Sequence, residues 1–245
     1  MPGKTDWISS YLWVRLRTKM LRLPKLSTTV VLHSYDMKLN TDEILRKMPL
    51  EGGIIKIEKR GILRRGESKR DKITRRNPKP ITASGFGHNS VTVVVWNDGD
   101  GKLTPKEITV KIFHNGVFHM TGVLDPLYET SALSAIQKQM HPECVREGGW
   151  VHRERRVLLM NYSTCIPPEI KISRASLQRY FQEKGIQAEF EPDVSPCVKV
   201  VFPQRWTACV FRTGKINLTA LKSHEDCTDF VKLLEPHLTA YVATL

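Results

Sequence analysis

The stretch KIFHNGVFHMTGV (residues 111–123) decides the fold, because apolar and polar residues alternate on both sides of a short loop. Such alternation is typical of two strands joined as a β-hairpin. Phe113 is the exception, since its large apolar ring stands where the alternation puts polar side chains. The length of the loop determines which face of the hairpin carries this ring.

A three-residue loop over residues 114–116 separates the two kinds of side chain. A two-residue turn at Asn115 and Gly116 would mix apolar and polar residues on both faces. With Gly116 in the left-handed conformation of a bulged hairpin, Phe113 instead pairs with Val117. One face then carries Ile108, Val110, Ile112, Phe118 and Met120, and the other, the polar face, carries Thr109, Lys111, Phe113, Val117, His119 and Thr121.

The same arrangement recurs later in the chain. ACVFRTGKINLTALK (208–222) superposes on VKIFHNGVFHMTGVL (110–124), with identical residues at the phenylalanine, the loop glycine and the threonine. The order strand, helix, strands, hairpin, helix repeats around it, which predicts one pseudo-symmetric domain of two copies. Helices are expected to cover the apolar faces. The apolar face of the second copy carries Trp206, Ala208, Val210, Ile216 and Leu218, and its polar face carries Thr207, Cys209, Phe211, Lys215, Asn217 and Thr219.

Periodicity and capping residues predict the remaining elements. In the first copy, strands are expected over 27–39, 54–61, 90–97, 107–113 and 117–123, with helices over 40–48 and 125–140. In the second copy, strands are expected over 155–166, 197–202, 206–211 and 215–221, with helices over 173–185 and from Ser223 onward. The predicted organisation is an N-terminal extension (1–24), a first repeat (25–141), a linker (142–154) and a second repeat (155–245).

The composition is strongly basic. The 245 residues carry a formal net charge of +13 and a pI near 9.6, which indicates a polyanionic partner or, as the alternative, a merely basic surface. Residues 56–80 hold eleven Lys/Arg against three Asp/Glu. This predicts a mobile basic loop that binds DNA phosphates, RNA or an acidic partner, acts as a nuclear localisation signal, or is simply solvated.

Several classes of protein are excluded or disfavoured. No run of 18 apolar residues is present, so no membrane span is expected, and residues 1–24 lack the apolar core of a secretory signal. Five widely spaced cysteines favour free thiols in a reducing compartment. His141, Cys144 and His152 lack paired metal-ligand spacing and are interpreted as linker residues. With no P-loop, GxSxG or paired-acid signature, the sequence predicts no catalytic residue, metal ligand or cofactor.

Two phenylalanines on polar faces favour a binding partner. Burying such a ring is worth about 1.5–3 kcal/mol, so exposing Phe113 and Phe211 at equivalent positions indicates that something covers them. Minor-groove proteins insert apolar wedges between base steps. The alternatives are that each ring packs under its loop, or that the sheet stacks RNA or single-stranded bases. Stacking platforms, however, carry aromatic residues in mid-strand.

At these residues the chain resembles the TATA-binding protein (TBP) family, whose hairpins read roughly I-F-x-S-G-K-x-x-x-T-G. The copies here read IFHNGVFHMTG (112–122) and VFRTGKINLTA (210–220), and FEPDVSPC (190–197) is similar to the family's Y-E-P-E-L-F-P-G stirrup. The resemblance covers about residues 25–241, and the basic first half looks most like TATA-binding-like proteins of large DNA viruses. It implies an α+β saddle of two pseudo-repeats, a curved antiparallel sheet with helices on its convex face.

The resemblance also implies roles for individual residues. Phe113 and Phe211 match the intercalating phenylalanine next to the hairpin turn, and Phe86 is a candidate for a second wedge. Glu191 and Asp193 match acidic stirrup residues that meet the B-type general initiation factor. The remaining DNA-binding positions are His119, Thr121, Leu159, Asn161, Asn217 and Thr219 facing the groove, and Val117, Lys215 and Lys222 near the phosphates.

Some residues depart from the family pattern. Phe86 lies 27 residues before Phe113, a longer gap than usual, and Ser195 stands where the second repeat would carry its other wedge. Leu26 and Val157 replace the two central asparagines of the family's groove. Lys111 further replaces a leucine that backs the wedge. These departures keep open a second interpretation, an adaptor that binds transcription proteins with weak or no specific DNA binding.

The resemblance therefore implies a non-catalytic general transcription initiation factor. Such a protein would bind and bend double-stranded DNA in the promoter minor groove and help recruit the B-type initiation factor and the RNA polymerase machinery. It would act as a monomer on DNA, without a membrane, in the nucleus or in a cytoplasmic viral factory.

Overall fold

Two β-hairpins form with the predicted loops and register. In the first, Gly116 has a φ of +74° and its N–H donates to the carbonyl of Phe113 at 3.2 Å. In the second, Gly214 has a φ of +79° and its N–H donates to the carbonyl of Phe211 at 2.9 Å. The three-residue loops are thus confirmed, and each phenylalanine is the last residue of its strand.

The computed structural model describes residues 20–72 and 89–245. These residues form two compact units. The first unit comprises Thr28–Leu158, and the second comprises Leu159–Leu245 together with residues 20–27. Phe86, the predicted second wedge, lies outside the described residues, as do residues 73–80 of the basic stretch.

The first unit is a sheet with two helices in its described part. Its strands are β1 (Lys25–Leu39), β2 (Ile54–Lys59), β3 (Leu63–Gly66), β4 (Ser90–Asn97), β5 (Lys106–Phe113), β6 (Val117–Val123) and the beginning of β7 (Val145–Cys165); its helices are α1 (Thr41–Lys47) and α2 (Pro126–Gln139). Six strands lie in the order β3-β2-β4-β5-β6-β1, and neighbouring strands pair antiparallel.

The apolar face predicted for the first hairpin forms the core of the first unit. Its five apolar residues are fully buried in one cluster with Ile44 of α1 and Ile136 of α2. Side-chain caps begin both helices, because Asn40 accepts from the N–H groups of Asp42 and Glu43 before α1, and Asp125 caps α2 in a similar way. The helices therefore cover the apolar face, as expected.

The second unit repeats this plan. Its further strands are β8 (Gln187–Glu189), β9 (Cys197–Val201), β10 (Thr207–Phe211) and β11 (Lys215–Leu221), and its helices are α3 (Arg174–Glu183) and α4 (His224–Val242). The strands follow the order β7-β11-β10-β9-β8. Aromatic rings join the helices through Phe202, which contacts Phe181 of α3 and Phe230 of α4 at centroid distances of 6.5 and 5.3 Å. Ser173 and Ser223 cap the two helices, at the predicted helix starts.

The basic stretch is more ordered than the predicted loop. Residues 56–66 lie largely in β2 and β3, which pair with each other, and residues 69–72 form a 3₁₀ turn. The physical reason is Arg65, whose guanidinium donates to the carbonyls of Leu45, Arg46 and Met48 at 2.9–3.0 Å. These carbonyls lie at the end of α1, where a cation is favourable.

Two further segments differ from the prediction. Residues 145–154, assigned to the linker, belong to β7. Of the predicted extension, Leu21 is buried, and its N–H donates to Glu235 of α4 at 2.9 Å. The Arg22 N–H likewise donates to the carbonyl of Cys165 at 3.0 Å. Within the described ranges, no helix is both long and apolar enough to cross a bilayer.

Candidate nucleic-acid interface

Phe113 lies on the polar face of the first unit, at the end of β5. It is half-buried, and its ring meets the ring of His119 edge-on at a centroid distance of 5.5 Å. Ser90 of β4 lies directly opposite in the pairing. Lys111 and His119 form the next cross-strand pair toward the middle of the sheet. The structure thus brings an aromatic ring, an imidazole and an ammonium group together on one face.

His119 is shifted toward its neutral form. Burial lowers the pKa of its imidazole, and the nearby positive charges of Lys111 and Arg156 lower it further. In the neutral form, which this shift favours, the ring has one nitrogen as a donor and the other as an acceptor. Val117 and Thr121 lie on the same face, and both are half-buried. Four predicted site residues of the first repeat are therefore adjacent.

The second unit presents a matching face. Phe211 ends β10 and is half-buried, like Phe113. Asn217 and Thr219 of β11 face the same way, opposite Cys209 and Thr207 in the pairing. Lys215 is exposed at the start of β11. This face also carries predicted groove-floor residues, as expected from the repeat.

Strand β7 adds two predicted residues to this second face. Asn217 pairs with Ser163, so Asn161 and Leu159, two and four residues earlier, face the same side by strand alternation. Both are half-buried. Among the described residues, the buried Oδ1 of Asn161 has no hydrogen-bond partner. An orphaned amide oxygen of this kind is costly in a native protein unless a ligand uses it.

Lys222 and Ser195 lie at the margins of this face. Lys222 follows β11 and is exposed, and its backbone N–H donates to the carboxylate of Asp226 at 2.7 Å. Ser195, which the resemblance aligns with the family's other wedge position, is half-buried, with its Oγ 3.2 Å from Sγ of Cys197. Its short polar side chain offers no ring to insert.

The comparisons with known proteins bear on the fold. No family model matches the sequence, and no curated protein sequence matches it. Among solved structures, the chain is similar to the TBP of Methanococcus jannaschii. The match covers 91% of this chain and 100% of that chain, with 14% sequence identity and a TM-score of 0.55.

At this level of identity, the shared property is the fold. The predicted class is confirmed: an α+β fold of the TBP type with two pseudo-repeats, each of them an antiparallel sheet packed against helices.

The predicted stirrup is an exposed turn between β8 and β9. Glu191 and Asp193 are both exposed, and the Glu191 carbonyl accepts from the N–H groups of Val194 and Ser195 at 3.0 and 2.8 Å. Val194 is 78% exposed. At the base of the turn, the guanidinium of Arg174 lies 4.7 Å from the centroid of the Phe190 ring. The turn therefore presents an apolar side chain beside two carboxylates.

The three residues weighed for an enzyme or metal site, His141, Cys144 and His152, have different surroundings. Cys144 is buried in the core of the first unit, whereas His141 is exposed. His152 instead contacts His33, with 3.3 Å between its Nε2 and Nδ1 of His33. Within residues 20–72 and 89–245, no cluster of three or more His, Cys, Asp or Glu side chains is arranged to hold a metal ion.

Sequence reasoning missed one part of the polar face, the contact between Lys56 and Asp71. The Nζ of Lys56 donates to Oδ1 of Asp71 at 2.6 Å, and Oδ2 of Asp71 accepts from the N–H and hydroxyl of Ser68 at 2.8 and 3.0 Å. The S-x-x-D spacing of Ser68 and Asp71, which resembles a capping box, is the signal that could have revealed an ordered turn here.

Proposed function

We propose that this protein is a non-catalytic transcription initiation factor that binds duplex DNA in the minor groove and bends it. The repetition of one arrangement carries the proposal. Phe113 and Phe211 each end a strand on a polar face, directly before a loop that closes on a glycine with positive φ. A ring held at a strand end can enter between base steps while the sheet lies along the groove.

The positions of the rings favour wedges over a stacking platform. Single-strand binders carry their aromatic residues in mid-strand, where successive bases can lie flat on them. Here the mid-strand positions of the polar faces hold Lys111 and Cys209, while both phenylalanines are terminal. Small polar side chains such as Thr121, Thr219 and Asn217 suit the floor of a minor groove, whose edges are mostly acceptors.

The charge of the chain supports a polyanionic partner. The protein carries a formal net charge of +13. Binding of such a protein to DNA releases counterions, so its affinity for DNA should fall steeply as the salt concentration rises. Lys215 and Lys222 are exposed at the two ends of β11. There they can reach phosphates on either side of a groove.

The decisive experiment measures binding and bending together. Duplex libraries carrying dyes at both ends would be titrated with wild type, Phe113→Ala, Phe211→Ala and, as a matched control, Leu233→Ala on the exposed side of α4. Losing one inserted ring should weaken binding about 10- to 100-fold and reduce the bend, whereas the control should change neither. Unchanged binding and bending in both phenylalanine variants would contradict the proposal.

The exposed stirrup supports a second candidate function, an adaptor that binds initiation proteins. Val194 is 78% exposed beside the carboxylates of Glu191 and Asp193, a combination that suits a basic partner with an apolar pocket. Calorimetry with a B-type initiation factor, using Glu191→Lys and Asp193→Lys, tests this contact. Binding of the factor without any duplex binding at moderate salt would favour the adaptor over the DNA-bending protein.

A further inference from the structure

The polar face of the first unit is partly covered by its own chain. Lys56 of β2 pairs with Val94 of β4, which pairs with Thr109 of β5, so Lys56 and Val94 lie on the face that carries Phe113. Yet Lys56 is only 6% exposed and Val94 only 4%. Residues 68–72, called the docked segment below, lie against this face, where Asp71 contacts Lys56.

Polar contacts hold the docked segment to this face. Asp71 accepts from Lys56 and from Ser68, as described above, and Lys56 also lies 2.6 Å from Glu58 on the same face. The backbone N–H of Lys69 donates to Glu107 of β5 at 2.8 Å. The Nζ of Lys69 lies 4.6 Å from the ring centroid of Trp96, the residue that pairs with Glu107.

The second unit has no such cover at the equivalent positions of its described residues. In the second unit, Val201 pairs with Thr207, and Gln187 pairs with Val201. Val201 is therefore the counterpart of Val94, and Gln187 is the counterpart of Lys56. Gln187 is exposed and Val201 is half-buried. The docked segment therefore makes the two polar faces unequal.

The anchor stays charged over a wide range of pH. Burial alone would raise the pKa of Asp71, but the hydrogen bonds from Lys56 and Ser68 outweigh burial and lower this pKa to about 2. The carboxylate of Asp71 thus faces inward, toward the ammonium group of Lys56. Lys69, Arg70 and Lys72 are exposed, and the carboxylates beside them in the chain are Glu67 and the anchor Asp71 itself.

We propose that the docked segment is a phosphate-binding site for duplex DNA on the polar face of the first unit. Lys69, Arg70 and Lys72 contact backbone phosphates, and Lys56 and Asp71 are positioning residues that hold them over the sheet. This inference rests on the proposed function, duplex binding. It adds that the first unit contacts phosphates through the docked segment, which has no counterpart at the equivalent described positions of the second unit, Gln187 and Val201.

The test is the salt dependence of duplex binding, measured by fluorescence anisotropy with an end-labelled duplex. Lys69→Gln/Arg70→Gln/Lys72→Gln should lower the slope of log affinity against log salt by about 2–3 and weaken binding on the order of 100-fold at 100 mM salt. The control, Lys138→Gln/Arg179→Gln/Lys184→Gln, removes three exposed charges from the helices and a helix end. Its slope should stay close to that of wild type.

Asp71→Asn tests the positioning role separately. This substitution makes the protein more positive, so its charge alone would predict tighter binding to DNA. Loss of the anchor predicts the opposite, weaker binding to DNA and a smaller slope of log affinity against log salt. Binding as tight as wild type with an unchanged slope would overturn the positioning role.

The remaining outcomes separate this inference from the proposed function. An unchanged slope in the triple variant overturns the phosphate site, while bending lost through Phe113→Ala would leave the proposed function standing. Tighter binding by the triple variant would mean that the segment competes with DNA, which also overturns the site. If wild type binds no duplex, the proposed function fails and the inference fails with it.

Discussion

Ala220 occupies in the second unit the position that Gly122 occupies in the first, and both residues have positive φ, +66° and +95°. Each lies at a shift in strand register. In β6 the pairing with β1 shifts between Thr121 and Val123, and in β11 the pairing with β7 shifts between Leu218 and Leu221. The two repeats therefore share a backbone bulge. Only the first repeat has a glycine, which lacks a Cβ, at this position.

Replacing Ala220 by glycine should stabilise the protein. The left-handed conformation costs an alanine about 1–2 kcal/mol, and the greater freedom of glycine in the unfolded chain offsets about 0.4–1 kcal/mol of the gain. The free energy of unfolding in urea should rise by about 0.5–1 kcal/mol. Gly122→Ala should lower it, although its Cβ would meet only ordinary contacts, 3.4 Å from the Glu107 carbonyl oxygen. A loss of stability in Ala220→Gly would contradict this account of the bulge.

The two loop glycines should differ in their tolerance of alanine. A Cβ on Gly116 would lie 2.6 Å from the carbonyl oxygens of both Tyr35 and Met37, whereas a Cβ on Gly214 would lie 2.7 Å from a side-chain carbon of Ile166. A backbone oxygen moves only if its strand moves, whereas the side chain of Ile166 can relieve the contact by a smaller local shift. We expect Gly116→Ala to lose about 3 kcal/mol and Gly214→Ala about 2 kcal/mol in chemical unfolding. Equal losses would mean that only the φ angle matters.

Removing the carboxylate of Glu129 should destabilise the first unit. This buried side chain accepts from His33 at 2.9 Å and from two guanidinium nitrogens of Arg155 at 2.8 and 2.7 Å. Glu129→Ala leaves these donors unpaired and should cost about 3 kcal/mol of unfolding free energy. Exposed Glu147→Ala, on β7, is the control and should change the stability by less than about 0.5 kcal/mol.

The same carboxylate predicts a dependence of stability on pH. Burial would raise the pKa of Glu129, but the hydrogen bonds from His33 and Arg155 outweigh burial, so this pKa lies below its usual value. A carboxyl whose pKa is lower in the folded state stabilises the fold above its unfolded pKa and loses that contribution as pH falls through the folded pKa. Unfolding curves measured from pH 7 down to pH 3 should show this loss in wild type. A Glu129→Gln variant that loses as much stability over that range would contradict it.

Asn161 should separate stability from binding. Its buried Oδ1 has no hydrogen-bond partner among the described residues, so Asn161→Leu should leave stability unchanged or raise it slightly. If the amide contacts a base edge, the same variant should lose about one hydrogen bond to DNA, roughly a five-fold weaker affinity. Gln137→Leu, an exposed amide on α2, is the matched control for binding. Unchanged duplex affinity in Asn161→Leu would remove this residue from the interface.

Local patterns predicted most of the fold. The caps at Asn40, Ser173 and Ser223 act on N–H groups within three residues, and the hairpin register depends on a loop of three residues. Interactions of this range are readable from the chain alone. The start of β7 was missed because its anchors are distant, Arg153 on Asp36 and Arg155 on Glu129.

The sequence by itself determined which side chains share a face, because strand alternation and a positive-φ glycine leave one register that separates polar from apolar residues. It therefore determined that Phe113 and Phe211 are equivalent. Only the tertiary structure decided which parts of the polar faces are accessible. The sequence around Lys56 predicts a solvated cation. In the structure Lys56 is buried, because Asp71, fifteen residues away, brings the docked segment over it. Burial of a charge depends on such a partner, and the local pattern does not contain it.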